Sequence, residues 1–309
     1  MNPHPKLIAK VFFLLSIPLI FLAFLEFRTP TTTNEQVQDQ NPITISATIY
    51  PLAYLATQVG GERVLVDIIT PPGAEPHEYE PTPKEIANFT EAQIVLVNGG
   101  GIDAWAEKLL PEVSKSGNRS LVFSSFVSFR PVGDGVDPHF WLDPLTYKVA
   151  VPFVRDALIE ADPLHALEYQ DRATRLLSSL DELDLQYRSG LARCERRDVV
   201  TAHSAFGYLT ARYELRQVAI SGVSPESEPS LSAMGALVDQ VKRSGATTVF
   251  FESLTSPKLA ETLARETGAK TDILDPIEGL NANSEASENY QSIMKENLVR
   301  LNEALTCTK

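Results

Sequence analysis

One amphipathic run stands out between Asp162 and Gly190. Ala173, Leu176, Leu180, Leu183 and Tyr187 recur every three to four residues, while Asp171, Arg172, Arg175, Asp181, Glu182, Asp184 and Arg188 take positions between them. That period belongs to a helix with an apolar stripe along one side. Asp162 suits an N-cap, Pro163 the first helical position and Gly190 a stop. The spacing predicts one helix over 163–189, about 40 Å long at the usual rise. A helix of that length reads as a rigid bar between two lobes; a helical hairpin or an ordinary surface helix is the plainer alternative.

Similar patterning lies on both sides of it. Strands are expected at 43–50, 63–70, 93–97 and 120–123, with helices from Pro51 through Val59 and at 83–92 and 102–110. Beyond the long helix come strands at 198–202, 216–220, 247–251 and 271–274, with helices near 205–213, 231–244, 257–267 and 285–305. Short apolar strands alternating with helices and punctuated by Pro and Gly indicate α/β layers with largely parallel sheets. The expected fold is therefore two similar Rossmann-like α/β lobes joined by one long rigid helix. The lobes take residues 43–161 and 191–309, the helix 162–190, and no sequence repeat relates the two.

The first residues follow another grammar. Lys6 and Lys10 precede VFFLLSIPLIFLAFL at 11–25, and Arg28 closes the run. A basic start followed by an apolar stretch is the pattern of an export signal. Counted from Leu7 the stretch reaches 19 residues, enough to span a bilayer, and no Ala-x-Ala cleavage site follows it. Residues 1–27 thus read as a signal peptide or an uncleaved membrane anchor, and 28–42 as a polar tether. Either way the lobes are expected outside the cytoplasm. In that oxidising setting Cys194 and Cys307 either pair or stay as free thiols, and they cannot build a zinc finger. A formal net charge of −13 argues against a nucleic-acid partner, whose phosphates need basic patches.

The chain has five histidines. His4 lies in the leader, and His165 falls on the long helix, where a solvated surface role is expected. His77, His139 and His203 fall in loops or at strand ends, 62 and 64 residues apart, too far for a local metal motif such as HExxH. They meet only if loops from both lobes converge on one cleft, where parallel sheets place ligands beyond the carboxyl ends of their strands. Three imidazoles completed by a carboxylate suit zinc; taken singly, each is an ordinary polar loop residue. Pro76, Pro138 and Pro144 restrict the backbone around two of them. Gly99-Gly100-Gly101 follows a strand but fits no phosphate-loop pattern and reads as a tight turn. Ser204 beside His203 lacks a nucleophile-elbow sequence.

With these residues in view, the chain resembles a known family. PPGAEPHEYEPTP (71–83), DPHFWLDP (137–144), TAHSAFGYLTARYEL (201–215), VFFES (249–253) and GAKTDILDPI (268–277) occur in order. Together they are similar to the cluster A-I, TroA-like or periplasmic zinc-binding, substrate-binding proteins of ABC transporters for zinc and manganese. The resemblance covers about 43–306. It implies two α/β lobes joined by one long helix, with His77, His139, His203 and the LDPI residue Asp275 as metal ligands. Glu78 or Glu80 is a candidate extra donor, with helix capping or loop solvation the plainer role, and Glu252 and Asp143 are expected either to orient the imidazoles or to pack the lobes together. The implied protein is a monomer without catalytic residues. It binds a zinc ion in the periplasm or at the outer face of the cytoplasmic membrane and delivers it to a cognate ABC permease for uptake. Manganese is the alternative cargo, although manganese members often carry Glu where His203 stands. A zinc-dependent hydrolase with Glu78 as base is the rival of another class, and a non-metal adhesive or scaffold module the third. Residues 115–136 contain no His, so the His-rich capture loop of some zinc members is missing. No Cys follows the leader, so a lipid anchor is not expected either.

Overall fold

All eight expected strands form, and they build two parallel sheets of one design. A computed structural model describes residues 41–225, 230–285 and 287–308; the leader at 1–27 and nearly all of the tether at 28–42 lie outside the described residues. No helix among the described residues is long and apolar enough to cross a membrane.

The first half holds β1 (Ile43–Ala47), α1 (Tyr50–Gly60), β2 (Val64–Ile68), α2 (Pro83–Glu91), β3 (Ile94–Val97), α3 (Ala104–Glu107), α4 (Leu110–Lys115) and β4 (Arg119–Val122). α2 starts where Pro83 predicts. Thr82 accepts from Glu85 N, and the Glu85 carboxylate accepts from Thr82 N, a reciprocal cap that satisfies two end donors. The helix expected at 102–110 is only the short α3, and a second helix not expected, α4, begins at Leu110 with Pro111 in its first turn. A hairpin follows, β5 (Arg130–Val132) and β6 (Gly135–Asp137), and then α5 (Pro144–Lys148) and α6 (Val151–Ala161). These two helices were not expected. Pro144 and Pro152 occupy first turns, where the missing N–H has no helical partner to lose.

The long helix α7 runs Ala166–Gly190, and Pro163–His165 form a tighter 3-10 turn ahead of it. Asp162 is not its cap. The Asp162 carboxylate instead accepts from His165 Nδ1 (2.6 Å) and Tyr169 Oη (2.8 Å), so His165 is paired and mostly covered rather than solvated. The expected stripe is the buried face: Ala173, Leu176, Leu180, Leu183 and Tyr187.

The second half holds β7 (Asp198–Thr201), α8 (Gly207–Arg212), β8 (Arg216–Ala219), α9 (Leu231–Ser244), β9 (Thr248–Phe251), α10 (Lys258–Thr267), β10 (Lys270–Ile273) and α11 (Tyr290–Leu305). Strand order is β2-β1-β3-β4 in the first sheet and β8-β7-β9-β10 in the second, so each half repeats one topology. One continuous apolar core runs from the inner face of the first sheet through α1, α6 and α7 to α11 and the second sheet. Smaller cores lie on the outer faces, under α2–α4 and under α9–α10. Cys194 and Cys307 form a disulfide, which settles the open pairing.

Other contacts join the halves besides α7. Arg212 forms a two-pronged pair with Asp143 (2.9 and 2.7 Å), and Arg130 Nη1 donates to Gly207 O (2.5 Å). Trp141 Nε1 donates to Pro276 O (2.7 Å), Gly73 N to Leu280 O (2.8 Å) and Tyr50 N to Glu278 O (3.3 Å). The loop after β10 is thereby tied to the first half as well as to its own sheet.

Candidate metal centre

Four loops at the carboxyl ends of the strands converge. His77 rides on the 3-10 turn Pro76–Glu78 beyond β2; Glu75 caps that turn by accepting from Glu78 N (3.2 Å). His139 follows β6 through Asp137 and Pro138. Asn98 Nδ2 donates to Pro138 O (3.2 Å), and Asn98 is itself set by Asp103, which accepts from Asn98 N (2.7 Å), Gly99 N (2.9 Å) and Thr48 Oγ1 (2.6 Å). The glycine run is the tight turn its sequence suggests. Gly100 has φ +72°, and a Cβ there would meet the Phe129 ring at 2.7 Å.

His203 lies two residues past β7, where Thr201 Oγ1 (2.8 Å) and Gln217 Nε2 (2.9 Å) donate to its carbonyl. Glu252 comes from the end of β9, the strand beside β7, so the His203–Glu252 pair spans the point where strand order reverses. Glu278 follows β10. Just before it Ile277 has φ +60°, a conformation costly for a β-branched residue. That turn aims the Glu278 side chain into the cluster.

His77, His139 and His203 each bring Nε2, and Glu278 brings Oε1, to within 4.8 Å of one another. His139 Nε2 is 3.2 Å from His77 Nε2 and 3.5 Å from His203 Nε2. Glu278 Oε1 is 3.0 Å from His139 Nε2, 3.2 Å from His203 Nε2 and 3.7 Å from His77 Nε2. Donors about 2.0–2.1 Å from one tetrahedral zinc ion stand about 3.3 Å apart, the spacing found here.

The protons are placed from behind. His139 Nδ1 donates to Asp137 Oδ1 (2.8 Å) and His203 Nδ1 to Glu252 Oε1 (2.6 Å). Each neutral imidazole so held turns a lone pair on Nε2 toward the centre. Glu278 Oε1 is within ion-pair distance of all three rings, yet it is buried without a hydrogen-bond donor. Both descriptions agree once the ring protons sit on Nδ1: acceptors face acceptors, and only a cation relieves that.

Without a metal, the cation is a proton. Burial disfavours a charged His203, but Glu252 and Glu278 outweigh it and raise its pKa to about 10. His139 moves up in the same way, against burial, through Asp137 and Glu278. Burial lowers His77, which has no such partner behind it. Glu278 resists its own burial and is held well below the usual range by the three imidazoles. Burial and then the Glu278 charge push Glu75 up to about 8.

Of the expected ligands, the three histidines meet and Asp275 does not join them. Its Oδ2 accepts from Ser253 Oγ (2.5 Å) and its Oδ1 from Ile277 N (2.7 Å), so it builds the turn rather than the cluster. Glu78 and Glu80 are exposed and stand outside the group. Glu252 orients an imidazole as expected. Asp143 takes the other expected role, packing the lobes together: it holds Arg212 of the second half and caps α5 through Leu145 N. Asp137 takes the orienting role for His139. The sequence singles out neither Asp137 nor Glu278, although Asp137 opens the motif DPHFWLDP and Glu278 stands one residue past LDPI.

A family model described as "Zinc-uptake complex component A periplasmic" (ZnuA) matches residues 45–304. The zinc-binding lipoprotein AdcA of Streptococcus pneumoniae (strain ATCC BAA-255 / R6) is 33% identical over 284 residues, 87% of this chain and 57% of that protein. The chain thus spans little more than half the length of that relative. The high-affinity zinc uptake system protein ZnuA of Bacillus subtilis (strain 168) is 32% identical over 281 residues, 84% of this chain and 87% of that one. The Zn(II)-bound ZnuA-like domain of Streptococcus pneumoniae AdcA superposes with a TM-score of 0.76 at 34% identity, covering 86% of this chain and 99% of that domain.

Proposed function

The chain belongs to the periplasmic zinc-uptake component A family, and from that premise we propose that it captures one zinc ion outside the cytoplasm and delivers it to an ABC permease. Residues 43–161 and 191–309 serve as the two metal-binding lobes, and residues 1–27 as the signal or anchor that takes them there. The ligands are His77, His139, His203 and Glu278. The observation that carries this reading is the convergence of four lone-pair atoms at tetrahedral spacing, two of them oriented by carboxylates. Three nitrogens and one oxygen suit zinc better than manganese, which favours oxygen-rich, higher-coordinate sites. Four protein donors also occupy the position that a zinc hydrolase keeps open for its reacting water. Zinc here is cargo, held and released unchanged.

Competition titration against a chromophoric chelator tests the proposal. The wild type binds one zinc per chain with clear preference over manganese. Glu252→Gln weakens it roughly 10–100-fold, as loss of an orienting partner does elsewhere. Equal or tighter manganese binding rejects the cargo assignment. Anomalous density placing zinc away from Glu278 rejects the ligand set.

A further inference from the structure

Asp275 is a second acid on the turn that delivers Glu278, and it is fully engaged elsewhere. Ser253 Oγ donates to Oδ2 at 2.5 Å and Ile277 N to Oδ1 at 2.7 Å. Asn297 fixes the backbone on both sides, accepting from Asp275 N (3.0 Å) and donating to Asp275 O (2.7 Å). The residue is 8% exposed. Three positions on, past the left-handed Ile277, Glu278 faces the imidazoles. Two carboxylates share one turn, and one of them meets the cluster.

From this arrangement we infer that Ser253 is a specificity-determining positioning residue, holding Asp275 away from the ion so that the site keeps three nitrogens and one oxygen. The inference rests on the zinc reading above and adds the device that narrows metal choice. A second carboxylate at the ion raises both donor number and oxygen content, the direction that favours manganese over zinc. Of the two hydrogen bonds on the Asp275 carboxylate, only the Ser253 one comes from a side chain, so one substitution can free Oδ2 while Oδ1 stays on Ile277 N. Ser253 is half-buried and the change to alanine removes a single oxygen, which leaves the packing in place.

The test is zinc and manganese competition titration on the full chain, with melting followed in parallel. Ser253→Ala raises manganese affinity relative to zinc by about tenfold, the scale of one hydrogen bond to a charged group. Ser253→Thr, which keeps the hydroxyl, restores the wild-type ratio. Adding Asp275→Asn to Ser253→Ala cancels the gain, because a neutral amide is a poor manganese ligand. Cobalt(II) substituted into Ser253→Ala shows weaker visible bands than in the wild type, the signature of a coordination number above four. An unchanged ratio in Ser253→Ala overturns the inference. So does an equal loss for both metals, which marks a purely structural serine, or a gain that survives Asp275→Asn. Wild type lacking tight zinc binding sinks the site reading itself; tight wild-type zinc with a flat Ser253→Ala ratio sinks only the role of Ser253.

Discussion

On the proposed zinc reading, His203 is the residue at which proton and metal compete most directly. Glu252 behind it and Glu278 in front raise its pKa to about 10 despite burial, so near neutral pH the metal-free protein holds a proton there. Zinc needs the neutral ring and displaces that proton. Apparent zinc affinity should therefore rise about tenfold per pH unit between pH 7 and 9 for one proton displaced, and flatten above about 10. The stability of the metal-free protein should move the other way. A histidine whose folded pKa is raised stabilises the fold fully below its unfolded value of about 6.5, and that contribution fades as pH climbs through about 10. Calorimetry in buffers of differing ionisation enthalpy counts the released proton, and melting of the metal-free protein reads the second trend; affinity independent of pH across this window contradicts the assignment. At this scale the three imidazoles were legible in the sequence, because so few histidines are present and three sit in loops or at strand ends within the recognised motifs. Glu278 was not. Asp275 and Glu278 are both acids three residues apart, and what separates their roles is a positive φ at Ile277, which nothing in an isoleucine announces.

α7 shows which parts of an element a periodic pattern determines. The stripe from Ala173 to Tyr187 was legible because burial on one face demands that spacing. Its start was not. Asp162 and Pro163 look like cap and first residue, yet the Asp162 carboxylate pairs with His165 and Tyr169, and a 3-10 turn precedes the α-helix. Likewise α5 and α6 were not expected, although each carries a proline in its first turn, and the β5–β6 hairpin lies in a stretch too short to show alternation. The buried stripe predicts a contrast. Leu180→Ala, at 0% exposure, should cost about 2–5 kcal/mol of stability, while Leu185→Ala, at 64% exposure on the same helix, should stay within about 0.5 kcal/mol. Denaturant unfolding of the two variants measures it; equal effects contradict the packing of α7.

Across the whole molecule, the strand order was expected only as alternation; the repeat of one topology in both halves is a property of the sheets that the dissimilar side chains conceal. The Cys194–Cys307 bridge encloses nearly all of the second half, including His203, Glu252 and Glu278, within one covalent ring. The contacts between the halves also have a consequence in time. His139 and His203 are 0% exposed, Glu278 is 2% exposed and His77 is partly buried, and the loop carrying Glu278 is tied to the first half through Tyr50, Gly73 and Trp141. An ion bound there should be out of reach of a competing ligand until the halves part. Its residence time is then a clock set by the protein and not by the strength of the coordination bonds alone. In a chase with excess chelator, the rate of zinc loss should reach a plateau as chelator concentration rises, and Asp143→Ala, which frees Arg212, should lift that plateau. A rate that keeps climbing in proportion to chelator means the ion is open to attack. If the plateau stands, any partner that takes the ion faster than the plateau rate must do so by prising the halves apart.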